Sequence, residues 1–411
     1  MAEKDKPDIQ TQVVHAGERK TSPAGQPTST PIYASATYTY DSMAEMDRVF
    51  AGESPGYVYT RHGNPTTDAL AAALCDIEGG VTACAYASGM AALHAALLCS
   101  DLKAGATVLA SQDLYGATTN LLQTILSSFG VKTVTTDFSD LDSVRSAARD
   151  HKPHMLLAET ISNPLLKVCD VDACAEIARE VGARLIIDNT FASPLLCQPL
   201  KHGADIVVHS ATKFLSGHAD AMGGVVISRD VVDKAALIAV MKLAGGVLSP
   251  WEAHEILRGI KTLSVRMDRQ CENASALADR LKSDPRVSRV YFPRFGSGAQ
   301  PEIAARILRE PYFGALVSIE LKEQTREAAF RFMDALKLCV RSTSLGDVFT
   351  SVLHPATASH RDLSPARRRE FGISDGLIRI SVGIENVNDI IADIEQALVM
   401  SSATEAQSHR A

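Results

Sequence analysis

A chain of 411 residues with 46% hydrophobic and 22% charged side chains has an ordinary globular make-up and room for roughly two or three domains. Its 41 lysines and arginines against 48 acids leave a formal charge of −7 and no long basic run, so a nucleic-acid or anionic-membrane partner is not expected. The best candidate for a membrane span, residues 231–248, is broken by Asp233, Lys234 and Lys242, and the polar N-terminus lacks a secretory core. The eight cysteines form no C-x-x-C pair, which argues against a zinc ribbon or a disulfide framework; a reducing cytoplasm and no metal are expected.

Residues 1–62 carry no hydrophobic period and are punctuated by Pro23, Gly25, Pro27, Pro31, Pro55 and Gly56. They predict an extended arm with one helix near 42–50. Such an arm buries little alone and is expected to wrap a neighbouring subunit. Residues 63–257 alternate helices with short apolar runs. A helix is expected over 66–78, with Leu70, Leu74 and Ile77 on one face. Strands are expected at 81–86, 107–110, 132–135, 154–158, 184–187, 206–208 and 224–227. Doubly apolar strands separated by helices imply an α/β fold with a mainly parallel sheet covered on both faces. Ser249-Pro250 opens one long helix over 251–282. Residues 258–411 then predict a smaller α+β domain, with strands at 287–292, 315–321 and 377–382, helices at 327–336 and 388–400, and a frayed polar tail from Ser401.

Ligands of open α/β sheets collect at the carboxyl ends of the strands, so the residues there are the candidates. Asp188 ends one apolar strand and needs a cationic partner if buried; its plain alternative is a turn cap. Lys213 follows another strand in a Ser/Thr-rich turn, Ser210-Ala-Thr-Lys213. Burial lowers a lysine's pKa and makes its amine a nucleophile for carbonyls. The Ser210 and Thr212 hydroxyls with the turn amides suit a phosphate, as does the helix entry Ser88-Gly89-Met90. Tyr115 could stack on a flat ring, and Tyr59 with Arg61 could clamp a phosphate. Arg379 sits inside an apolar strand and needs an anion, either a substrate carboxylate or a salt-bridge partner. A lysine Schiff base plus an aspartate is what pyridoxal 5′-phosphate (PLP) requires: the lysine holds the aldehyde carbon and the carboxylate keeps the ring nitrogen protonated. Two competing motifs fail. Ser210-x-x-Lys213 lacks the S-D-N and K-T-G partners of β-lactamases, and His254-Glu255 lacks the second histidine of a zincin, with Arg258 in its place.

The motifs Tyr59-Thr-Arg61-x-x-Asn64-Pro-Thr66, Ser88-Gly-Met-Ala-Ala92, Asp188-Asn-Thr-Phe191, Ser210-Ala-Thr-Lys-Phe-Leu-Ser-Gly-His218, Arg258-Gly-x-Lys-Thr-Leu263 and Arg379-x-Ser-Val-Gly383 run through nearly the whole chain. On them it resembles the Cys/Met-metabolism (transsulfuration) PLP enzymes. The resemblance implies an aspartate aminotransferase-like fold type I architecture. It implies that Lys213 holds the cofactor and later shuttles protons, that Asp188 pairs with the ring nitrogen, and that Tyr115 stacks on the ring and assists proton transfer. Ser88, Gly89, Met90, Ser210 and Thr212 would hold the phosphate, completed by Tyr59 and Arg61 of a neighbouring subunit. Arg379 and Asn163, with the Ser344 backbone, would grip the substrate carboxylate in a homotetramer of catalytic dimers.

Members that bind cystathionine carry acids where this chain has Val58 and Thr343, so a shorter uncharged tail such as methionine's is favoured. One departure is Ala117, where methionine γ-lyases commonly carry cysteine. The expected activity is carbon–sulfur γ-elimination from methionine, homocysteine or cystathionine, giving a 2-oxo acid, ammonia and a thiol. The alternatives are a γ-replacement enzyme (cystathionine γ-synthase or O-acyl-homoserine sulfhydrylase) and, in a different class, a non-catalytic binding protein of the same fold.

Overall fold

A computed structural model describes residues 7–17 and 27–403; Pro23, Gly25 and the tail from residue 404 lie outside the described residues. The larger sheet has seven strands: β1 (Thr82–Tyr86), β2 (Thr107–Ser111), β3 (Lys132–Thr136), β4 (Met155–Glu159), β5 (Arg184–Asp188), β6 (Ile206–Ser210) and β7 (Gly224–Ser228). Their order is β1-β7-β6-β5-β4-β2-β3. Only β7 runs against its neighbours β1 and β6; the pairs from β6 to β3 are parallel. Every expected strand of this sheet is present within a residue or two.

Side chains alternate across the sheet, so an inner strand can feed two cores. On β4, Leu156 and Ala158 join one apolar cluster while Met155 and Leu157 join the other. Each fully buried side chain of this kind is worth about 1.5–3 kcal/mol. Covering both faces leaves the strand ends as the open edge of the sheet. β4, β5 and β6 are adjacent there, with Glu159 opposite Asp188 and Asp188 opposite Val208.

The helix Pro65–Glu78 starts where Asn64 accepts the Thr66 N–H and Pro65 takes the first helical position, and stops at Gly79 with φ +74°. Leu70, Leu74 and Ile77 are fully buried on its inner face, as the spacing predicts. The arm holds the expected helix, Met43–Phe50 capped by Ser42, and an unexpected one, Ile9–His15, which packs on Pro65–Glu78 through buried Val13.

The long helix expected over 251–282 is two helices, Pro250–Ile260 and Leu263–Lys282. The break has a local cause. A Cβ at Gly259 would stand 2.2 Å from the Ser216 carbonyl oxygen, so this helix turn lies directly on the backbone that follows Lys213. Arg266 staples the junction, donating to Gly259 O (2.8 Å), Phe214 O (2.9 Å) and Thr262 Oγ1 (3.1 Å).

The second sheet contains β8 (Val287–Tyr291), β9 (Leu316–Leu321), β10 (Val340–Arg341), β11 (Ser351–Leu353) and β12 (Leu377–Ser381), in the order β10-β11-β12-β9-β8. β10 and β11 are too short to show a period and were not expected. Helices Arg326–Ala335 and Val387–Ala403 pack together over this sheet. The last helix therefore runs past Ser401, where a frayed tail was expected. All five residues of β12 are buried, so Arg379 sits in the middle of an apolar strand.

Candidate active site

Ten of the residues singled out by sequence line one cavity of about 460 Å³ at the carboxyl edge of the larger sheet. Ser88, Gly89 and Met90 enter it from the helix Gly89–Cys99, and Tyr115 from the turn after β2. Asp188 stands at the end of β5, Ser210, Thr212 and Lys213 at and after β6, and Asn163 and Arg379 close the far side. Ser344 joins through its contacts, accepting from Lys213 Nζ at 3.1 Å and offering its carbonyl to Arg379 Nη2 at 3.2 Å. Tyr59 and Arg61 do not line this chain's own cavity. Tyr59 is exposed, and Arg61 Nη1 donates to Lys242 O at 2.9 Å while lying 5.4 Å from the Tyr59 ring centre.

Burial lowers the pKa of Lys213 below the ordinary lysine value; the Arg379 charge acts the same way, and Asp347 opposes both. A larger fraction of neutral amine follows, which is the nucleophilic form. Asp188 is pushed the other way, its pKa raised by burial and only partly offset by the Thr190 hydroxyl and amide and by His209. Its carboxylate accepts from Thr190 N at 2.9 Å. A half-buried carboxylate at the cavity edge with so little support calls for a cation in the cavity.

Arg379 is 2% exposed and bonds Asn163 Oδ1 at 2.9 Å, while its Nε has no partner. Burial brings its pKa down to about 10. The Phe191 ring lies 5.8 Å away, and among the described residues no carboxylate is within salt-bridge distance of this guanidinium, although Tyr115 and Glu159 favour its charge. An incoming carboxylate would neutralise it.

The cradle for an anion is built by close approach. A Cβ on Gly89 would lie 2.7 Å from Ser210 Cβ, and one on Gly224 would lie 2.3 Å from Ser88 O. Ser88 Oγ caps the helix by accepting from Ala91 N at 3.1 Å. Thr212 Oγ1 is engaged with the backbone of Gly223, accepting from its N–H at 3.0 Å. Both hydroxyls therefore brace the loops, and the unpaired first amides of the helix are the natural anion donors.

Sequence reasoning missed Glu159, which ends β4 beside Asp188 and accepts from Tyr115 N at 2.6 Å. Burial, reinforced by Asp188, raises its pKa well above the usual carboxylate value. The strand-end rule that found Asp188 applies equally to Ala158-Glu159. A buried network behind the strand ends was missed as well. His209 Nε2 and Asn189 Nδ2 both bond Glu78 Oε1, at 2.5 and 3.0 Å, and Thr160 Oγ1 bonds Asn189 Oδ1 at 2.7 Å. This ties the residues adjoining Glu159, Asp188 and Ser210 to one helix end. No sequence signal joins positions so far apart.

The model of the Cys/Met metabolism PLP-dependent enzyme family matches residues 10–399. The chain belongs to this family. It is 41% identical over 398 residues to an L-methionine γ-lyase of Fusobacterium nucleatum subsp. nucleatum, covering 96% of this chain and 99% of that one. It is 40% identical to an O-succinylhomoserine sulfhydrylase of Pseudomonas aeruginosa, covering 94% of each. The crystal structure of a cystathionine γ-synthase from Xanthomonas oryzae pv. oryzae superposes with a TM-score of 0.90 at 35% identity, covering 97% of this chain and all of that one.

The cavity fits the PLP of this family. It joins a buried amine, a carboxylate short of partners and a glycine-built cradle at a helix N-terminus. Gly89→Ala therefore tests the cradle. The added methyl meets Ser210 and should weaken PLP binding by about tenfold or more, read by titrating the visible band of the loaded protein. Unchanged affinity would place the phosphate elsewhere.

Proposed function

We propose that this PLP-dependent enzyme is a carbon–sulfur γ-lyase acting on methionine, homocysteine or cystathionine, with methionine the best fit. It would yield a 2-oxo acid, ammonia and a thiol. The observation that carries this reading is the division of the cavity. Arg379 and Asn163 form a carboxylate grip, Glu159, Asp188 and Lys213 gather at the strand ends, and Ile161, Met222, Thr343 and Leu345 give a neutral wall for the substrate tail. An uncharged thioether tail loses nothing in such a lining, whereas a distal ammonium would cost several kcal/mol unless paired. The methionine γ-lyase relatives at about 40% identity support the same choice.

In this reading Arg379 fixes the substrate carboxylate and thereby aims the Cα–H bond. Lys213 Nζ takes the Cα proton, and Ser344 Oγ holds the amine between transfers. Tyr115, anchored by its N–H on Glu159, assists proton transfer from the opposite wall. Ser88, Gly89, Met90, Ser210 and Thr212 form the phosphate end. When bound, PLP supplies the electron sink that makes loss of the Cα proton possible, provided Asp188 keeps its ring nitrogen protonated.

The division 1–62, 63–257 and 258–411 into arm, large and small domains belongs to the same reading. So do a cytoplasmic location, in keeping with eight cysteines of which none is in a disulfide, and a homotetramer in which a second copy brings Tyr59 and Arg61 to the cavity. Their placement outside their own chain's cavity supports the last point.

The test is a substrate panel. Methionine without added thiol should release 2-oxobutyrate at a rate dependent on PLP. Product formed only from an acyl-homoserine plus a sulfur donor would make the chain a γ-replacement enzyme, a role favoured by the sulfhydrylase relative.

A further inference from the structure

The loop between β10 and β11 carries a charge that the chemistry above leaves unused. Asp347 is fully buried; its carboxylate oxygens make no well-formed hydrogen bond, the Ala219 amide lends them only weak support, and burial raises its pKa. A buried carboxylate in that state is destabilising unless a cation faces it, so its presence needs a reason.

The loop holds Asp347 firmly against the Lys213 turn. A Cβ on Gly346, whose φ is +83°, would stand 2.6 Å from Phe214 N and 3.1 Å from the carbonyl carbon of Lys213. On the other side Val348 N donates to Gly217 O at 3.0 Å. Gln270 Nε2 holds the Asp347 carbonyl at 2.8 Å, and Gly346 N is tied to Ser381 Oγ at 2.8 Å. Ser344, three residues earlier in the same loop, accepts the hydrogen bond from Lys213 Nζ.

Three charged or titratable side chains face the carboxylate: Lys213 and His218 from the turn after β6, and Arg266 from the helix Leu263–Lys282. Arg266 has committed donors on all three nitrogens to Thr262, Phe214 and Gly259. His218 Nδ1 bonds Ser216 O at 2.7 Å. Lys213 also feels the Arg379 charge, and a like charge disfavours an ammonium.

We propose that Asp347 is a positioning residue that supplies the counter-charge for the protonated nitrogen of Lys213. It touches neither substrate nor cofactor. When Lys213 takes the Cα proton, the C–H bond breaks with its electron pair left on carbon, a new N–H bond forms, and Nζ goes from neutral to positive. A fixed negative charge in the adjoining loop favours that second state. The Arg379 cation meanwhile is matched by the substrate carboxylate. The inference rests on the reading of Lys213 as the proton-carrying amine.

The test is a pH titration of the visible band of the PLP-loaded protein, in which the Lys213 nitrogen is the titrating centre. Asp347→Asn and Asp347→Ala should each move the midpoint to lower pH by on the order of one unit. The pH profile of kcat should move in the same direction, with KM for the substrate little changed. Variants that fold with an unchanged midpoint would overturn the proposal. Failure of both variants to fold would overturn it too, since the carboxylate would then be held for Arg266 alone. Loss of the Lys213 reading itself would show differently, as a visible band that survives in Lys213→Ala.

Discussion

Lys213→Ala is expected to abolish both the visible band of the loaded protein and release of 2-oxo acid, with turnover reduced by at least about 10³-fold. The side chain is asked to do two jobs that alanine cannot share. In the proposed reading its amine is the carbonyl nucleophile of the cavity, made available by burial and by the Arg379 charge. It is also the group with a hydrogen bond to Ser344 Oγ from which a proton can be taken up and returned. The fold should survive, because the Lys213 turn is secured by backbone bonds, including Gly217 N to Lys213 O at 2.8 Å and Val348 N to Gly217 O at 3.0 Å. Equal melting curves with lost turnover would locate the defect in chemistry. Retained elimination would refute the assigned nucleophile.

Arg379→Leu is expected to lower kcat/KM by about 10²–10³-fold. Truncating one partner of a buried charged pair costs about 2–5 kcal/mol. Arg379 has no salt-bridge partner among the described residues, and its orphaned Nε leaves donor capacity for an anion. The loss should appear first in KM, because in the proposed reading the guanidinium grips the substrate before the chemical step. It should extend to kcat to the extent that the grip also aims the Cα–H bond. Arg379→Lys keeps the charge without the planar fork and should recover only part of the loss. Near-normal kinetics in Arg379→Leu would place the substrate carboxylate on another group. Asn163 Oδ1 and Ser344 O, which lose a donor in the variant, will also reorganise, so thermal unfolding should accompany the kinetics.

Much of this site is legible in the sequence because of where polarity interrupts apolarity. Asp188 and Ser210 end strands whose central residues are apolar and buried, and Arg379 interrupts the apolar run over 377–380. Such interruptions carry an energetic penalty that only a partner removes, which makes them visible in one dimension. Glu159 obeys the same logic, although the strand-end reading passed over it. Asp347 is not legible in this way, since its loop has no period and its burial arises only when Gly346 packs on the Lys213 backbone. The Glu78–His209–Asn189 network is equally hidden, because a helix end and two strand ends meet only in the folded chain.

The element pattern shows the same divide. Strands covered on both faces announce themselves as apolar runs, and the inner strands of the larger sheet are visible in that way; the edge strand β3, Lys-Thr-Val-Thr-Thr, has no buried residue and shows through its β-branched residues instead. The two- and three-residue strands β10 and β11 are defined by pairing alone. The split of the helix after Ile260 depends on a close contact between Gly259 and the Lys213 turn that helical periodicity does not record.

The role of Lys213 is tested most directly by chemical capture of the cofactor on the chain. Reducing the PLP-loaded protein with borohydride and mapping the labelled peptide should place the phosphopyridoxyl group on Lys213 and on no other lysine. A label on another lysine, or none at all on a protein that carries the visible band, would contradict it.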